Sequence, residues 1–365
     1  MKPSKQDVND MYLAHKYRLS LTSSPSQSSF RVLALLFFEE LDASPKVSQL
    51  PPWVPQRGHD GRTYIVGTND EPGYIGGAIC AERAAMVQLR FLPKFQITKV
   101  VIATDSFEPI SPGLLCREFL AGHDSVPWDV TVLSSGCACR DCGLRDGALF
   151  DDVQEGTATS CMCATTGEMH NIPMLSTTIR ELYPYPSPYT RLKTASMSAD
   201  LGSLYSESFA TLDMEALHEK GTAKRLLELA ILEAKSHISD LHPISFGAAV
   251  EFKDGTIVTS HQSSALEYGC TLDAVSQLAS HFQESSPVLL VQADQYGIAH
   301  APFAPARAFL TEQGYGYLSV LLHQVPLDNE SCLNDWKLVE IQVDKLAPNA
   351  PTWTESTERE ASSSL

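Results

Sequence analysis

The stretch PGLLCREFL at residues 112–120 returns as PFAPARAFL at residues 302–310, 190 positions later in the chain. An apolar strand pattern precedes each copy, over 97–103 in the first half and over 288–293 in the second. Each half then closes on a similar segment, ELYP at 181–184 and KLAP at 345–348. A repeat of this length predicts two domains of the same architecture, one in each half of the chain.

Within each half, short apolar strands alternate with helical patterns. In the first half the pattern predicts helices over 5–18, 80–91 and 112–120, and strands over 30–38, 63–67, 100–103 and 130–133. The second half opens with a predicted helix over 214–236, followed by a hairpin that turns at KDG, 253–255. Strands separated by helices are typical of an α/β fold, so we expect two tandem three-layer α/β/α domains around mixed sheets.

Two composition changes set the predicted domain boundaries. The run YPYPSP at 183–188 and the polar stretch to about Ser208 indicate a linker. The first half also carries about 26 more residues than the second before its closing segment, and five cysteines crowd into that surplus. We therefore predict a first domain over 1–190 with a Cys-rich insertion at 135–172, a linker over 191–211, a second domain over 212–353 and a tail over 354–365.

The composition of the 365 residues excludes several classes of function. The formal net charge is −17, which disfavours a nucleic acid partner and favours a small-molecule ligand. No run of eighteen apolar residues occurs and the N-terminus has no apolar core of the signal-peptide type, so we expect no membrane association and a cytoplasmic location. Nine cysteines in such a chain indicate metal binding or catalysis rather than a disulfide framework.

The chemistry of the first half centres on two thiols and a carboxylate. Cys80 and Glu82 follow the glycine-rich turn at 76–77, and Cys116 stands at the start of the next predicted helix. A helix N-terminus stabilises a thiolate through its unpaired N–H groups and its positive dipole end. Thiolates are zinc ligands, and a carboxylate nearby can move protons, so this arrangement predicts a zinc site with a proton shuttle.

Four segments of the first half together resemble the cytidine deaminase family. They are CAERAA at 80–85, PGLLCR at 112–117, GTNDE at 67–71 and SFRVLA at 29–34. The second half resembles the degenerate C-terminal domain of two-domain members of the family, which form dimers. The resemblance covers nearly the whole chain apart from the loop insertions and both termini.

This resemblance implies a function and a role for each matched residue. The implied reaction is the hydrolytic deamination of cytidine or deoxycytidine in pyrimidine salvage, in which water activated by Zn²⁺ attacks C4 of the base. Cys80 and Cys116 would be zinc ligands, and Glu82 would be the catalytic proton shuttle. The substrate contacts would come from Phe30, which packs on the nucleoside, and from Asn69 and Glu71, which bind the sugar hydroxyls. Arg117 would temper the charge of the thiolates.

The sequence departs from the family at the third zinc ligand, which would fall on Gly113. Either another residue completes the ligand set or the metal is absent. Candidates lie in the insertion: Cys137, Cys139, Cys142, Cys161, Cys163 and His170. The same cysteines also suit a separate structural zinc site, or they are ordinary reduced thiols in a loop.

The second half has lost the residues of this site. Cys270 shares the offset of 190 with Cys80, but CTLD at 270–273 replaces the Cys-Ala-Glu run, and Phe303 and Ala306 stand opposite Gly113 and Cys116. We therefore predict an active domain paired with a degenerate one, in a homodimeric enzyme that acts on a pyrimidine nucleoside. The alternative is a catalytically inactive deaminase-fold protein with a binding or regulatory role, as Gly113 indicates; an editor of RNA bases is disfavoured by the acidic charge.

Overall fold

The described residues contain two main sheets that share a common strand order, one in each of two units, Met1–Leu182 and Tyr183–Leu365. The computed structural model describes residues 4–21, 23–41, 56–58, 60–92, 94–106, 108–136, 160–162, 169–171, 173–217, 221–237, 241–327 and 333–350. The tail 354–365 and most of the insertion 135–172 lie outside these residues. None of the described helices is long and apolar enough to cross a membrane.

The first unit alternates helices and strands in the order that the sequence predicts. Its helices are α1 (Lys5–Leu19), α2 (Ala81–Gln88), α3 (Leu114–Ala121) and α4 (Ile179–Leu182). Its strands are β1 (Val32–Glu40), β2 (Gln56–Arg57), β3 (Thr63–Thr68), β4 (Phe95–Thr104), β5 (Thr131–Ser135), β6 (Ser160–Met162), β7 (Met169–Asn171) and β8 (Met174–Thr178). The short pair β6 and β7 forms a separate hairpin within the insertion.

The main sheet of the first unit has the order β2-β3-β1-β4-β5-β8 and is mixed, because only β4 and β5 pair in parallel. Both of its faces are covered. Leu33, Leu35 and Phe37 pack with helix α1 on one face, as alternation along a strand requires. Ala34 and Leu36 are fully buried on the other face, where α2 and α3 lie. The predicted three-layer α/β fold is thus confirmed for this unit.

The second unit repeats this plan. Its helices are α5 (Ala195–Ser208), α6 (Ala210–Ala216), α7 (Gly221–Ser236), α8 (Ala274–Gln277), α9 (Ala304–Glu312) and α10 (Val343–Leu346). Its strands are β9 (Phe246–Phe252), β10 (Ile257–His261), β11 (Pro287–Asp294), β12 (Ala299–His300), β13 (Ser319–Gln324) and β14 (Lys337–Gln342). The sheet order β10-β9-β11-β13-β14 matches β3-β1-β4-β5-β8, and α7 packs on one face with α8 and α9 on the other.

The structure corrects one correspondence between the halves. Cys80 is the N-cap of α2, and the N-cap of α8 is Asp273, not Cys270. The paired bridges Asp70–Ile79 and Ser263–Leu272 precede these caps and fix the same register. The offset here is therefore 193, whereas Gly113 and Phe303, the N-caps of α3 and α9, keep the offset of 190. The second unit is three residues shorter between these two helices, so the match of Cys80 with Cys270 was wrong.

The segment that the sequence predicts as a linker lies within the second unit and also differs from the prediction. The range 191–211, predicted as a linker, contains helix α5, which is capped by the Thr194 side chain. Tyr205 of this helix is buried, and its hydroxyl donates to Asp213 at 2.6 Å. Ser198, Gly202 and Tyr205 are buried at helical spacing, so one face of α5 is covered although the segment has a polar composition. The helix predicted over 214–236 is likewise two helices, α6 and α7.

Helix α1 is fastened to the first sheet by a buried polar cluster. His15 Nε2 lies 2.8 Å from Ser135 Oγ, and His15 Nδ1 accepts from Arg18 Nε at 3.2 Å. Arg18 also pairs with Asp105, whose Oδ2 accepts from the backbone N–H of Arg31 at 2.9 Å. Burial, with a smaller effect of the Arg18 charge, lowers the pKa of His15 to about 3. The ring is therefore neutral in the folded protein near pH 7.

This buried histidine predicts a pH dependence of stability. The folded-state pKa of His15 is depressed, so its contribution is complete above the unfolded value of 6.5 and is lost as pH falls toward 3. Between pH 7.5 and pH 5.0 the free energy of unfolding of the first unit should fall by about 2 kcal/mol more in the wild type than in His15→Gln. Urea unfolding at these pH values measures the difference. An equal fall in the free energy of unfolding in the two proteins would contradict the prediction.

Candidate active site

The first helix of the site begins at Cys80. Its backbone is extended, at φ −76° and ψ 154°, and it caps α2 without a side-chain hydrogen bond to the helix. The sulfur is thus available for another role. Gly67 on β3 holds the helix in place, because a Cβ on Gly67 would lie 2.2 Å from the carbonyl oxygen of Ala81. Only glycine permits so close an approach of the helix backbone to the strand.

The second helix begins at Gly113, which caps α3 with φ −61° and ψ 157°. Cys116 lies in the first turn of α3 and is fully buried. The strands that lead to the two helices, β3 and β4, are both antiparallel to β1 and therefore run in the same direction. Their carboxyl ends lie at one edge of the sheet, and this brings the starts of α2 and α3 together.

Cys80, Glu82 and Cys116 meet at this edge. One ligand atom of each residue lies within 4.8 Å of those of the other two, and in the described part of the chain this is the one such group that could hold a metal ion. The Cys116 thiol donates to Glu82 Oε2 at 3.4 Å. Glu82 and Cys116 are buried, and Cys80 is half-buried. The three residues predicted to form the catalytic centre are therefore brought together.

The three groups alter one another's protonation. The Cys116 S–H is shared between Glu82 and Cys80, and its hydrogen bond to Cys80, with further help from Arg83, lowers the pKa of the Cys80 thiol to about 6. The same hydrogen bond and burial raise the pKa of Cys116. Burial, followed by the charge of Cys80, raises the pKa of Glu82 to about 7. A carboxyl group with a pKa near neutrality is suited to both taking up and releasing a proton.

The donor set fits a zinc ion. Zinc binds thiolate sulfur at about 2.3 Å and carboxylate oxygen at about 2.0–2.2 Å, so the ligands of one tetrahedral ion lie roughly 3.3–3.8 Å apart. The observed separations are all within 4.8 Å, so the three groups lie close enough together to face one ion. Cys80 and Cys116 would hold the ion, and the Glu82 carboxylate would lie beside it.

The arginine near the thiols is Arg83, not Arg117. Arg83 Nη2 lies 3.6 Å from Cys80 Sγ, and its charge acts on both thiols. Arg117 is fully buried and points elsewhere: it donates to the carbonyl oxygens of Pro112 at 2.7 Å and Leu182 at 3.0 Å. Successive helix residues differ by about 100° in direction, so Arg117 cannot share the face of Cys116, whereas Arg83 lies one turn from Cys80. The spacing i, i+3 was the signal for Arg83.

The predicted substrate residues lie at the adjoining end of β3. Backbone hydrogen bonds of 3.0 and 2.9 Å join Asp70 to Ile79, which places the segment of Asn69 and Glu71 beside the start of α2. The Asn69 amide accepts from Val32 N–H at 2.8 Å and donates to Phe30 O at 2.8 Å, and so ties together the ends of β1 and β3. Phe30, Asn69 and Glu71 therefore form one connected group.

Glu71 has a partner that the sequence did not indicate. Its carboxylate accepts from the Ser28 backbone N–H at 2.8 Å and from the Ser28 hydroxyl at 2.7 Å. Although slight burial opposes it, these hydrogen bonds lower the pKa of Glu71, which is therefore ionised at neutral pH. The partly exposed carboxylate is held in a fixed direction and can accept hydrogen bonds from a ligand.

The predicted cysteine sites of the insertion cannot be tested against this geometry. Cys137, Cys139, Cys142 and Cys163 lie outside the described residues, and Cys161 and His170 are described in backbone only. Their role as a further zinc site stays a prediction.

The equivalent place in the second unit carries different side chains. Asp273 stands at the position of Cys80, Val275 at that of Glu82, and Ala306 at that of Cys116. Phe303 fills the position of Gly113 and packs edge-to-face against Phe246, with ring centroids 4.9 Å apart. In the described residues the second unit thus has no counterpart of the cluster.

Comparisons with known proteins find matches in structure but not in sequence. The chain matches no protein-family model and no curated protein. Cytidine deaminase from Mycobacterium tuberculosis matches at 21% identity over 34% of this chain and 94% of that one, with a TM-score of 0.28. Cytidine deaminase from Burkholderia pseudomallei matches at 16% identity over 48% of this chain and 96% of that one, with a TM-score of 0.29.

A third match is the cytidine deaminase from Bacillus anthracis, at 13% identity over 38% of this chain and 93% of that one, with a TM-score of 0.28. All three neighbours are cytidine deaminases. Each corresponds to about a third to a half of this chain, and scores this low carry no weight for its activity.

Gly113 offers a direct test of the site as a metal centre. A Cβ built on Gly113 meets no heavy atom within 4 Å, and its backbone conformation suits any residue. Residue 113 also shares a helix face with Cys116. Gly113→Cys should therefore add a third thiolate, lower the dissociation constant for zinc at least about tenfold, and strengthen the sulfur-to-metal absorption of the Co²⁺ form.

The control is Gly113→Ala, which keeps every other cysteine and adds no ligand. Its zinc affinity and Co²⁺ spectrum should equal those of the wild type. Equal affinities for Gly113→Cys and Gly113→Ala in a chelator competition would show that no metal binds between the two helices.

Proposed function

We propose that this protein catalyses the zinc-dependent hydrolytic deamination of cytidine or deoxycytidine to uridine or deoxyuridine, in pyrimidine salvage. The observation that carries the proposal is the meeting of Cys80, Glu82 and Cys116 at the starts of two helices, with Glu82 buried among them. The sequence resemblance to cytidine deaminases names the same three residues and is independent of the geometry.

Each residue of the cluster has a separate task in this proposal. Cys80 and Cys116 hold the ion, and the α2 and α3 N-termini favour their thiolate forms. Bound zinc would activate water by lowering its pKa to near neutrality. Glu82 takes up a proton from the attacking water and gives it to N3 of the base, and it then moves the second proton of that water, from the new hydroxyl on C4, to the amine that leaves as ammonia. Burial of Glu82 keeps this carboxylate away from bulk solvent.

Phe30, Asn69 and Glu71 select the nucleoside. Phe30 is half-buried at the end of β1 and supplies an apolar surface for the substrate. The Glu71 carboxylate, directed by Ser28, accepts hydrogen bonds from the sugar hydroxyls. An ionised carboxylate repels a phosphate group, so free nucleosides are favoured over nucleotides and polynucleotides.

The second unit has a structural role in this proposal. It retains the sheet order and the three layers but not the donor atoms, so catalysis belongs to the first domain, which the sequence places at 1–190. We further propose that the chain acts in the cytoplasm as a homodimer, in which four domains assemble.

A second function is favoured by one observation. Gly113 supplies no side chain where the resemblance expects the third ligand, and the space beside it is open. On this alternative the protein is a catalytically inactive deaminase-fold protein that binds a nucleoside or regulates a partner. Ammonia release from cytidine by the purified, zinc-loaded protein separates the two functions.

Replacing Glu82 by Gln tests the proposed proton transfer. The amide keeps the size of the side chain but cannot accept and release the proton, so kcat/KM for cytidine should fall by about 10²–10⁴. Zinc content, measured by atomic absorption on the same samples, should be unchanged.

Two results would count against the mechanism. Retained activity in Glu82→Gln would remove the proton shuttle. Loss of zinc together with activity in the variant would instead make Glu82 a metal ligand. If the wild-type protein binds zinc but does not deaminate cytidine, the result would favour the binding protein.

Glu71→Gln tests sugar recognition. Loss of the charged acceptor should raise KM for cytidine about tenfold or more, since hydrogen bonds to charged groups contribute about 1.5–3 kcal/mol, and should change kcat much less. With 3′-deoxycytidine, which lacks a hydroxyl that Glu71 would bind, the variant and the wild type should differ little. An equal loss on both substrates would argue against a contact between Glu71 and the sugar.

A further inference from the structure

A second cluster of reactive side chains lies in the second unit, independent of the thiols of the first. It joins Ser187, from the proline-spaced run before α5, to the ends of β11 and β12. Ser187 Oγ lies 3.1 Å from His300 Nδ1, and His300 Nε2 lies 3.1 Å from Asp294 Oδ2. A hydroxyl, an imidazole and a carboxylate are thus connected in series.

Asp294 is held by hydrogen bonds on both carboxylate oxygens. Its Oδ1 accepts from the backbone N–H groups of Tyr296 at 2.9 Å and Ile298 at 3.0 Å. Its Oδ2 accepts from the Tyr189 hydroxyl as well as from His300. Four donors suit an ionised carboxylate and leave it no freedom to rotate.

The hydrogen bonds of Asp294 determine the tautomer of His300. Because the carboxylate can only accept, His300 Nε2 must carry the proton that it shares with Asp294, and in the neutral imidazole Nδ1 then has a free lone pair. The Ser187 hydroxyl also accepts from the backbone N–H of Tyr189, at 3.2 Å. Its own proton can donate to Nδ1 of the neutral His300 ring. This is the arrangement in which an imidazole acts as base toward a hydroxyl.

The side chains of Ser187, His300 and Asp294 differ in their exposure to solvent. His300 and Asp294 are fully buried, and Ser187 is partly exposed. The imidazole contacts two aromatic rings, Tyr189 and Phe246, each with its centroid 5.1 Å away. Of the three residues, Ser187 is therefore the one with solvent exposure, while the base and the carboxylate are enclosed by the protein.

The carboxylate is particular to the second unit. Asp294 pairs with Phe246 in the sheet as Thr104 pairs with Val32 in the first unit, so the equivalent of Asp294 there is a threonine. Thr104 Oγ1 accepts from Ser106 N–H at 3.3 Å and donates to the carbonyl oxygen of Ser135 at 3.5 Å. The strand pairing that the two units share therefore does not account for the carboxylate or the histidine.

We propose that Ser187 is a nucleophile toward acyl donors such as small carboxylic esters, with His300 as its base and Asp294 as the residue that positions His300. Ser187 Oγ forms a bond to the acyl carbon while its proton passes to His300 Nδ1. The bond to the ester oxygen breaks, and the alkoxide takes that proton and leaves as the alcohol. Water then releases the acid by the same proton transfers, so no further reactant is needed.

The ring nitrogens of His300 are used in the reverse of the familiar serine hydrolase order, in which Nε2 faces the serine and Nδ1 faces the aspartate. The chemistry does not depend on this order, because either nitrogen is a base once the other carries the proton.

A fluorophosphonate probe tests the proposal on the intact chain. The probe forms an O–P bond with a nucleophilic serine and releases fluoride, and peptide mass spectrometry locates the adduct. We expect labelling at Ser187, more than tenfold above any other serine, and its loss in Ser187→Ala. The matched control, Ser206→Ala, removes an exposed hydroxyl on α5 and should label like the wild type.

The base is tested by Asp294→Asn and His300→Gln, which should slow labelling at least about 10²-fold. Because both side chains are buried, circular dichroism and thermal unfolding must first show that the variants fold. If they do not, Ser187 labelling of the wild type against a heat-unfolded sample decides the matter. Labelling that is absent, equal across many serines, or unchanged by unfolding or by a folded His300→Gln variant would overturn the proposal.

Discussion

Two helix N-termini meet at one edge of the first sheet, and the candidate active site depends on this meeting. Strands β3 and β4 run in the same direction, so α2 and α3 begin side by side. The contact of Gly67 with the α2 backbone sets the position of one helix. Arg117, bound to Pro112 and Leu182, sets the position of the other. The thiols and the carboxylate are therefore brought together by the packing of the backbone.

The second unit has the same fold as the first but, in its described residues, lacks the side chains of the candidate active site. Arg307 donates to the carbonyl oxygens of Pro302 at 2.6 Å and Leu346 at 3.2 Å, as Arg117 does to Pro112 and Leu182. The arginine is therefore part of the fold in both units, although Ala306 has replaced the thiol in the second. The described part of the second unit therefore lacks counterparts of the thiols and the carboxylate of the candidate site. It has instead a buried histidine and carboxylate, His300 and Asp294, near the end of β11.

Much of this was predictable from the sequence, and the exceptions have physical causes. The repeat at 112–120 and 302–310 predicted two similar domains, because similar sequences at a constant spacing are expected to form the same structural unit. The thiols and Glu82 were predictable from their spacing at helix starts. Arg117 was misassigned because adjacency in sequence does not give direction on a helix. Cys270 was matched with Cys80 in error because the segment between α8 and α9 is three residues shorter than that between α2 and α3. Nothing in the residue types of this segment indicates the shortening. The network of Ser187 and His300 joins residues 113 positions apart, which only the fold brings together.

The central claim is that one metal ion binds between the starts of α2 and α3. Anomalous diffraction at the zinc absorption edge, on crystals of the intact chain grown with zinc, measures this directly. The account predicts a peak within bonding distance, about 2.3 Å, of both Cys80 Sγ and Cys116 Sγ. Zinc peaks elsewhere in the protein with none between these two sulfur atoms would contradict it.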